Sequence, residues 1–88
     1  MDNWKLVFTS HARKDAKNVE SSGLKPKVED ILALLSEDPF KNPPPFEKLS
    51  GNLRNAHSRR VNRQHRIVYE VLREIKVVKI LRMWTHYE

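Results

Sequence analysis

The chain is predicted to form an α+β domain with two N-terminal helices packed on one face of a mainly antiparallel twisted sheet, in the order β-α-α-β-β-β. Three observations lead there. Leu24, Val28, Ile31, Leu32 and Leu35 recur at the spacing of a broad apolar helix face; the region from Ala56 onward is strand-like and β-branched; and 88 residues without a repeat or dividing linker make one domain, 1–88. Each element has its own local reason.

Residues 4–8 are short, β-prone and partly alternating, and the pair Thr9-Ser10 can cap a helix beginning near His11. That helix carries Ala12, Ala16 and Val19 on one stripe and stops at Ser21-Ser22-Gly23. The second helix is the stronger signal. Pro26 suits its first turn, where an amide hydrogen would be unsatisfied anyway, and Asp38-Pro39 ends it. Pro39, Pro43, Pro44 and Pro45 then make a stiff, extended spacer that delivers Phe46 and Glu47, followed by a turn at Ser50-Gly51-Asn52. Strands are expected over 58–61, 66–73 and 76–84. Period two puts Arg66, Val68, Glu70 and Leu72 on one side of their strand, and Val78, Ile80, Arg82 and Trp84 on one side of the last.

Such a short chain hides only about 60–65% of its unfolded surface, which favours a shallow groove on a sheet over a deep pocket. Seventeen Lys and Arg against eleven Asp and Glu give a net charge of +6, suited to a polyanionic partner. Cysteine is absent, as expected in a reducing cytoplasm, and no apolar run approaches the roughly 20 residues of a membrane span. The first residues do not resemble a secretory leader. The histidines show neither helical pairing nor cysteine companions, so no metal is expected. With only Gly23 and Gly51 there is no glycine-rich phosphate loop, and no cofactor is expected either.

The chemistry-bearing residues suit RNA cleavage without a metal. That reaction needs a base for the ribose 2′-hydroxyl, a cation for the charged phosphorane and an acid for the departing 5′-oxygen. Glu47 is the candidate base, Arg66 the cation and His86 the acid, since an imidazole holds a proton near neutral pH. Arg60 adds a second guanidinium, Arg59 lies beside it, and Trp84 and Tyr87 offer flat surfaces for bases. Each has a plain alternative: a solvated glutamate, a cross-strand ion pair for Arg66, a core tryptophan, a frayed terminal histidine.

The blocks Pro45-Phe46-Glu47-Lys48-Leu49, Ser58-Arg59-Arg60-Val61, His65-Arg66-Ile67-Val68-Tyr69 and Arg82-Met83-Trp84-Thr85-His86-Tyr87 together resemble the Txe/YoeB toxins of type II toxin-antitoxin modules, in the RelE superfamily. The resemblance spans nearly the whole chain. It implies a RelE-like fold and a ribosome-dependent endoribonuclease that cuts mRNA in the ribosomal A site, with Glu47 as base, His86 as acid, Arg66 and Arg60 as clamps and Tyr87 positioning the substrate. It also implies neutralisation by a YefM-like antitoxin whose acidic, disordered tail folds over the basic toxin, and homodimers occur among relatives. Two departures stand out: Ser50 replaces a lysine found in some relatives, and Glu88 extends the chain past Tyr87. The rival readings are a same-fold ParE-type toxin of DNA gyrase and a non-catalytic basic nucleic-acid-binding module.

Overall fold

Seven elements follow one another: β1 (Lys5–Phe8), α1 (Ser10–Ser22), α2 (Lys25–Glu37), β2 (Glu47–Lys48), β3 (Ala56–Arg60), β4 (His65–Leu72) and β5 (Val77–His86). The computed structural model describes residues 3–43, 45–49 and 56–86, with the backbone alone for Thr85 and His86. The expected turn at Ser50-Gly51-Asn52, together with Tyr87, Glu88 and the His86 side chain, lies outside the described residues.

The strands form one sheet in the order β1-β5-β4-β3-β2; β1 runs parallel to β5 and every other pair is antiparallel. Thr9 starts α1 as anticipated. Its hydroxyl oxygen accepts from the Ala12 amide at 3.1 Å and its hydroxyl donates to the Leu81 carbonyl at 2.9 Å, so one side chain both caps the helix and ties it to β5. Gly23, at φ 82°, ends the helix in the left-handed region that favours glycine. Pro26 sits in the first turn of α2, whose Val28, Ile31 and Leu35 are buried.

Ala12, Val19, Val28, Ile31 and Leu35 from the helices meet Ile67, Tyr69, Val71, Val78, Ile80 and Met83 from the sheet in one core. The helices therefore cover the face of β4 that carries Ile67, Tyr69 and Val71, and leave Arg66 and Glu70 toward the other. Ile80 is fully buried at the centre of this layer. Ile80→Ala is expected to cost about 2–5 kcal/mol, read as a lower urea midpoint, because the methylenes removed leave a cavity that rigid neighbours cannot close.

The sequence differs from the structure in two places. The pair Glu47–Lys48 is a short edge strand on β3, whereas the proline-led segment was expected to run as a loop. More consequential, β5 does not alternate strictly. Tyr69 faces Ile80, Val68 faces Arg82 and Arg66 faces Thr85, so β5 carries one extra residue on each side of Arg82. The expected common face of Val78, Ile80, Arg82 and Trp84 is thereby broken, and Met83, between the last two, turns into the core at 5% exposure.

Candidate active site

Directly opposed residues in neighbouring strands share a sheet face, as do residues two apart in one strand. Glu47 opposes Ser58, Ser58 opposes Val68, and Arg60 opposes Arg66. Glu47, Arg60 and Arg66 therefore lie on one face, the one the helices do not cover. Arg60 and Arg66 stand across from each other about 5 Å apart at Cα. Glu47 is two strands and two residues from Arg66, about 12 Å between Cα atoms by ordinary sheet spacings. A glutamate and an arginine reaching inward across that gap leave room for one phosphodiester between them. Two guanidiniums opposed across a ladder repel each other, and an anion bridging them removes the repulsion.

The backbone of His86 joins this arrangement at the end of β5. It pairs with His65, one residue beyond the Thr85–Arg66 pair. His65 itself is held firmly: its amide donates to Asn62 Oδ1 at 2.7 Å, Gln64 N donates to the same oxygen at 2.9 Å, and the Val61 amide donates to the His65 carbonyl at 2.8 Å. This Asn62-centred turn fixes where β4 begins, and with it Arg66.

Two expected substrate contacts are placed elsewhere. Arg59 opposes Ile67 on the core side of β3 and is 1% exposed. Its Nε donates to the Tyr69 hydroxyl oxygen at 3.0 Å, and its Nη2 donates to the carbonyls of Pro39 at 3.1 Å and Lys41 at 2.8 Å. Its guanidinium also lies over the Phe46 ring, 4.8 Å from the centroid. Burial and carbonyl partners make it an internal strut, because a phosphate would have to displace bonds that water cannot replace. Burial pushes the Tyr69 phenol up from its ordinary value, against the opposing pull of the Arg59 charge. Trp84 is half-buried, packs against the core and stacks on His65 with centroids 3.7 Å apart, so one face of its indole is already occupied.

Arg59 explains how Glu47 is delivered. The proline segment is pinned to the body of the protein at both ends and is not a free spacer. Pro39 is buried and bonded by Arg59, while Phe46, immediately before Glu47, packs edge-on against Phe40 and His57.

Asp15 was missed at the sequence level. It lies on the buried stripe of α1 with Ala12 and Val19, 5% exposed. Its Oδ2 accepts from Arg82 Nε at 2.8 Å, Met83 N at 3.0 Å and Trp84 N at 3.3 Å, and its Oδ1 accepts from Arg82 Nη2 at 3.2 Å. The signal was present: an aspartate three residues after Ala12 and four before Val19 falls on the apolar stripe, where a lone carboxylate needs donors. Burial pushes this carboxyl up, but Arg82 and the two amides outweigh it and hold it below its ordinary value of 3.8. Arg82 is correspondingly raised, chiefly by the Asp15 hydrogen bond. Because the folded value is depressed, the carboxylate's contribution is complete above its ordinary value and disappears as pH falls through the folded one. Urea midpoints of the parent chain should therefore decline below about pH 4, and Asp15→Asn should remove that part of the decline.

Comparison with known proteins agrees with this architecture. The family model described as a YoeB-like toxin of bacterial type II toxin-antitoxin systems matches residues 7–87. The chain is 34% identical over 68 residues to the Toxin YoeB of Streptomyces coelicolor, covering 75% of this chain and 81% of that protein. A YoeB/ParE toxin from Agrobacterium tumefaciens superposes with a TM-score of 0.84 at 26% identity, covering 94% of this chain and 99% of that one. YoeB of Staphylococcus aureus superposes with a TM-score of 0.78 from its complex with YefM and 0.80 from its dimer, both at 28% identity and covering 96% of this chain and 98% of that one. An 81-residue family match, carried on the RelE-like sheet with Glu47, Arg60 and Arg66 on its uncovered face, shows that this chain belongs to the YoeB-like toxins of bacterial type II toxin-antitoxin systems.

Proposed function

We propose that the chain is a ribosome-dependent endoribonuclease that cuts mRNA in the ribosomal A site by acid-base catalysis and so stops translation. The observation that carries this reading is the shared sheet face of Glu47, Arg60 and Arg66, with the backbone of His86 arriving beside the Arg66 row. Glu47, exposed on β2, takes the proton of the ribose 2′-hydroxyl. The freed oxygen attacks the adjacent phosphorus, Arg66 and Arg60 bind the two charged equatorial oxygens, and the bond from phosphorus to the 5′-oxygen breaks. His86 gives that oxygen its proton, and Tyr87 positions the phosphate. The products are a 2′,3′-cyclic phosphate and a 5′-hydroxyl end.

Open sheet geometry favours this substrate. A single strand of RNA laid across an uncovered face presents its phosphates to the arginines, whereas a small molecule would find little enclosure there. The +6 charge supports binding to RNA and equally to an acidic antitoxin segment. A YefM-like antitoxin with an acidic, disordered tail is accordingly the proposed neutralising partner, and a homodimer the proposed state without it. Working on ribosomes places the protein in the cytoplasm; among the described residues no helix is long and apolar enough to cross a membrane.

The test is a bacterial translation extract programmed with a defined mRNA. The reading predicts new 5′ ends within the ribosome-covered codon and cyclic phosphate on the upstream fragment. Intact mRNA together with inhibited DNA supercoiling by gyrase would replace it with the ParE-type reading, and binding of RNA without cleavage would replace it with a non-catalytic module.

A further inference from the structure

We propose that Asp15 is a positioning residue for this cleavage site: from inside α1, its carboxylate fixes the register of the bulged end of β5 and thereby the place of His86. The inference rests on the function proposed above.

Three residues of β5, Leu81, Met83 and Trp84, have no opposed residue in the β4 register. They flank Arg82, where the two extra residues of the strand are accommodated. All three are bonded from α1 or its cap. The Thr9 hydroxyl donates to the Leu81 carbonyl, and Asp15 Oδ2 accepts from the Met83 and Trp84 amides. A helix side chain thus supplies what a neighbouring strand supplies elsewhere in the sheet. Arg82, 43% exposed at its side chain, closes over the carboxylate from the outside with two more bonds, so the acceptor is both charged and fully engaged.

Register matters here because Thr85 and His86 follow directly. A strand with two extra residues has alternatives close in energy: absorbing one of them into the ladder moves everything beyond it by one position, about 3.3 Å, and turns each side chain to the other face. With Asp15 holding Met83 and Trp84, only the observed arrangement satisfies both amides, and it sets Thr85 opposite Arg66 and His86 opposite His65. Without it, Thr85 and His86 sample several positions along β4. Misplacement of a general acid by even 1 Å costs on the order of 10²-fold in rate.

Asp15 does not touch the substrate, so its loss should change turnover and leave ribosome binding alone. The test uses the full chain with Asp15→Ala and Asp15→Asn. The asparagine keeps one carbonyl oxygen able to accept from both amides while weakening the tie to Arg82. In single-turnover cleavage of mRNA on programmed ribosomes, Asp15→Ala should lower the maximal rate by at least about tenfold with the half-saturating concentration unchanged, and Asp15→Asn should recover most of that rate. Amide exchange at Met83 and Trp84 should accelerate at least about tenfold in the alanine variant and much less in the asparagine one. The His86 imidazole resonance should shift toward that of an unstructured peptide in step. Wild-type rate and amide protection in a folded Asp15→Ala chain would overturn the proposal. Equal impairment of the two variants would also overturn it, since a general loss of stability predicts no rescue by the amide oxygen. If the parent chain fails to cut ribosome-bound mRNA, the functional reading falls, and amide exchange with the His86 resonance still decides the positioning role.

Discussion

Alanine in place of Glu47, Arg66 or His86 is expected to lower the rate of mRNA cleavage by roughly 10²- to 10⁴-fold while the fold survives. Glu47 is exposed on a two-residue edge strand and Arg66 projects from the uncovered face, so neither substitution opens a cavity in the core. Each removes a different contribution: the base, a charge aimed at the phosphorane, the acid. The three effects should combine far from additively, because a site lacking one proton carrier gains little from the other. Cut-site mapping beside circular dichroism separates loss of chemistry from loss of structure, and growth inhibition by the toxin should disappear in parallel. Full cleavage by the His86 variant would remove it from the acid role.

The second large effect is on stability. Arg59→Ala should destabilise the domain by about 3–5 kcal/mol, a large fraction of the 5–15 kcal/mol that holds a domain together. The loss has two sources. A long, fully covered side chain leaves a void beneath Phe46, and the Pro39 and Lys41 carbonyls together with the Tyr69 hydroxyl oxygen lose their donor. Arg59→Lys should restore little of it, since one ammonium cannot reproduce a planar fork that reaches three acceptors at once. Because the same guanidinium anchors the segment leading to Glu47, the lysine variant should also cleave slowly at temperatures where it remains folded. Urea midpoints and single-turnover rates on one set of proteins check both halves.

The contrast between Arg59 and Arg60 shows how much the sequence disclosed. Both belong to one basic motif and both read as phosphate contacts, yet one-residue alternation in β3 sends Arg59 opposite Ile67 into the core and Arg60 opposite Arg66 onto the uncovered face. Strand periodicity predicts that they diverge. It does not say which goes where until the register is known. The helices were more legible, because apolar spacing in α2 and the Thr9 cap of α1 are local signals. The bulges in β5 were not, since they are set by donors on a distant helix: Asp15 and Met83 are 68 residues apart in the chain. The short β2 pair was hidden for a related reason. Glu47 and Lys48 lack strand propensity and are held in place by β3 and by the packing of Phe46.

The central claim is convergence of Glu47, the paired arginines and the terminal imidazole on a single phosphodiester. The most direct measurement is a structure of the chain on a ribosome whose A-site codon carries a 2′-O-methyl group, which blocks the attack and retains the substrate. The account predicts Glu47 at hydrogen-bond reach of the 2′-oxygen, about 3 Å, His86 equally close to the 5′-oxygen, and Arg66 on the phosphoryl oxygens between them. A chain bound away from the A-site codon, or bound there with the carboxylate and imidazole on different nucleotides, would contradict it.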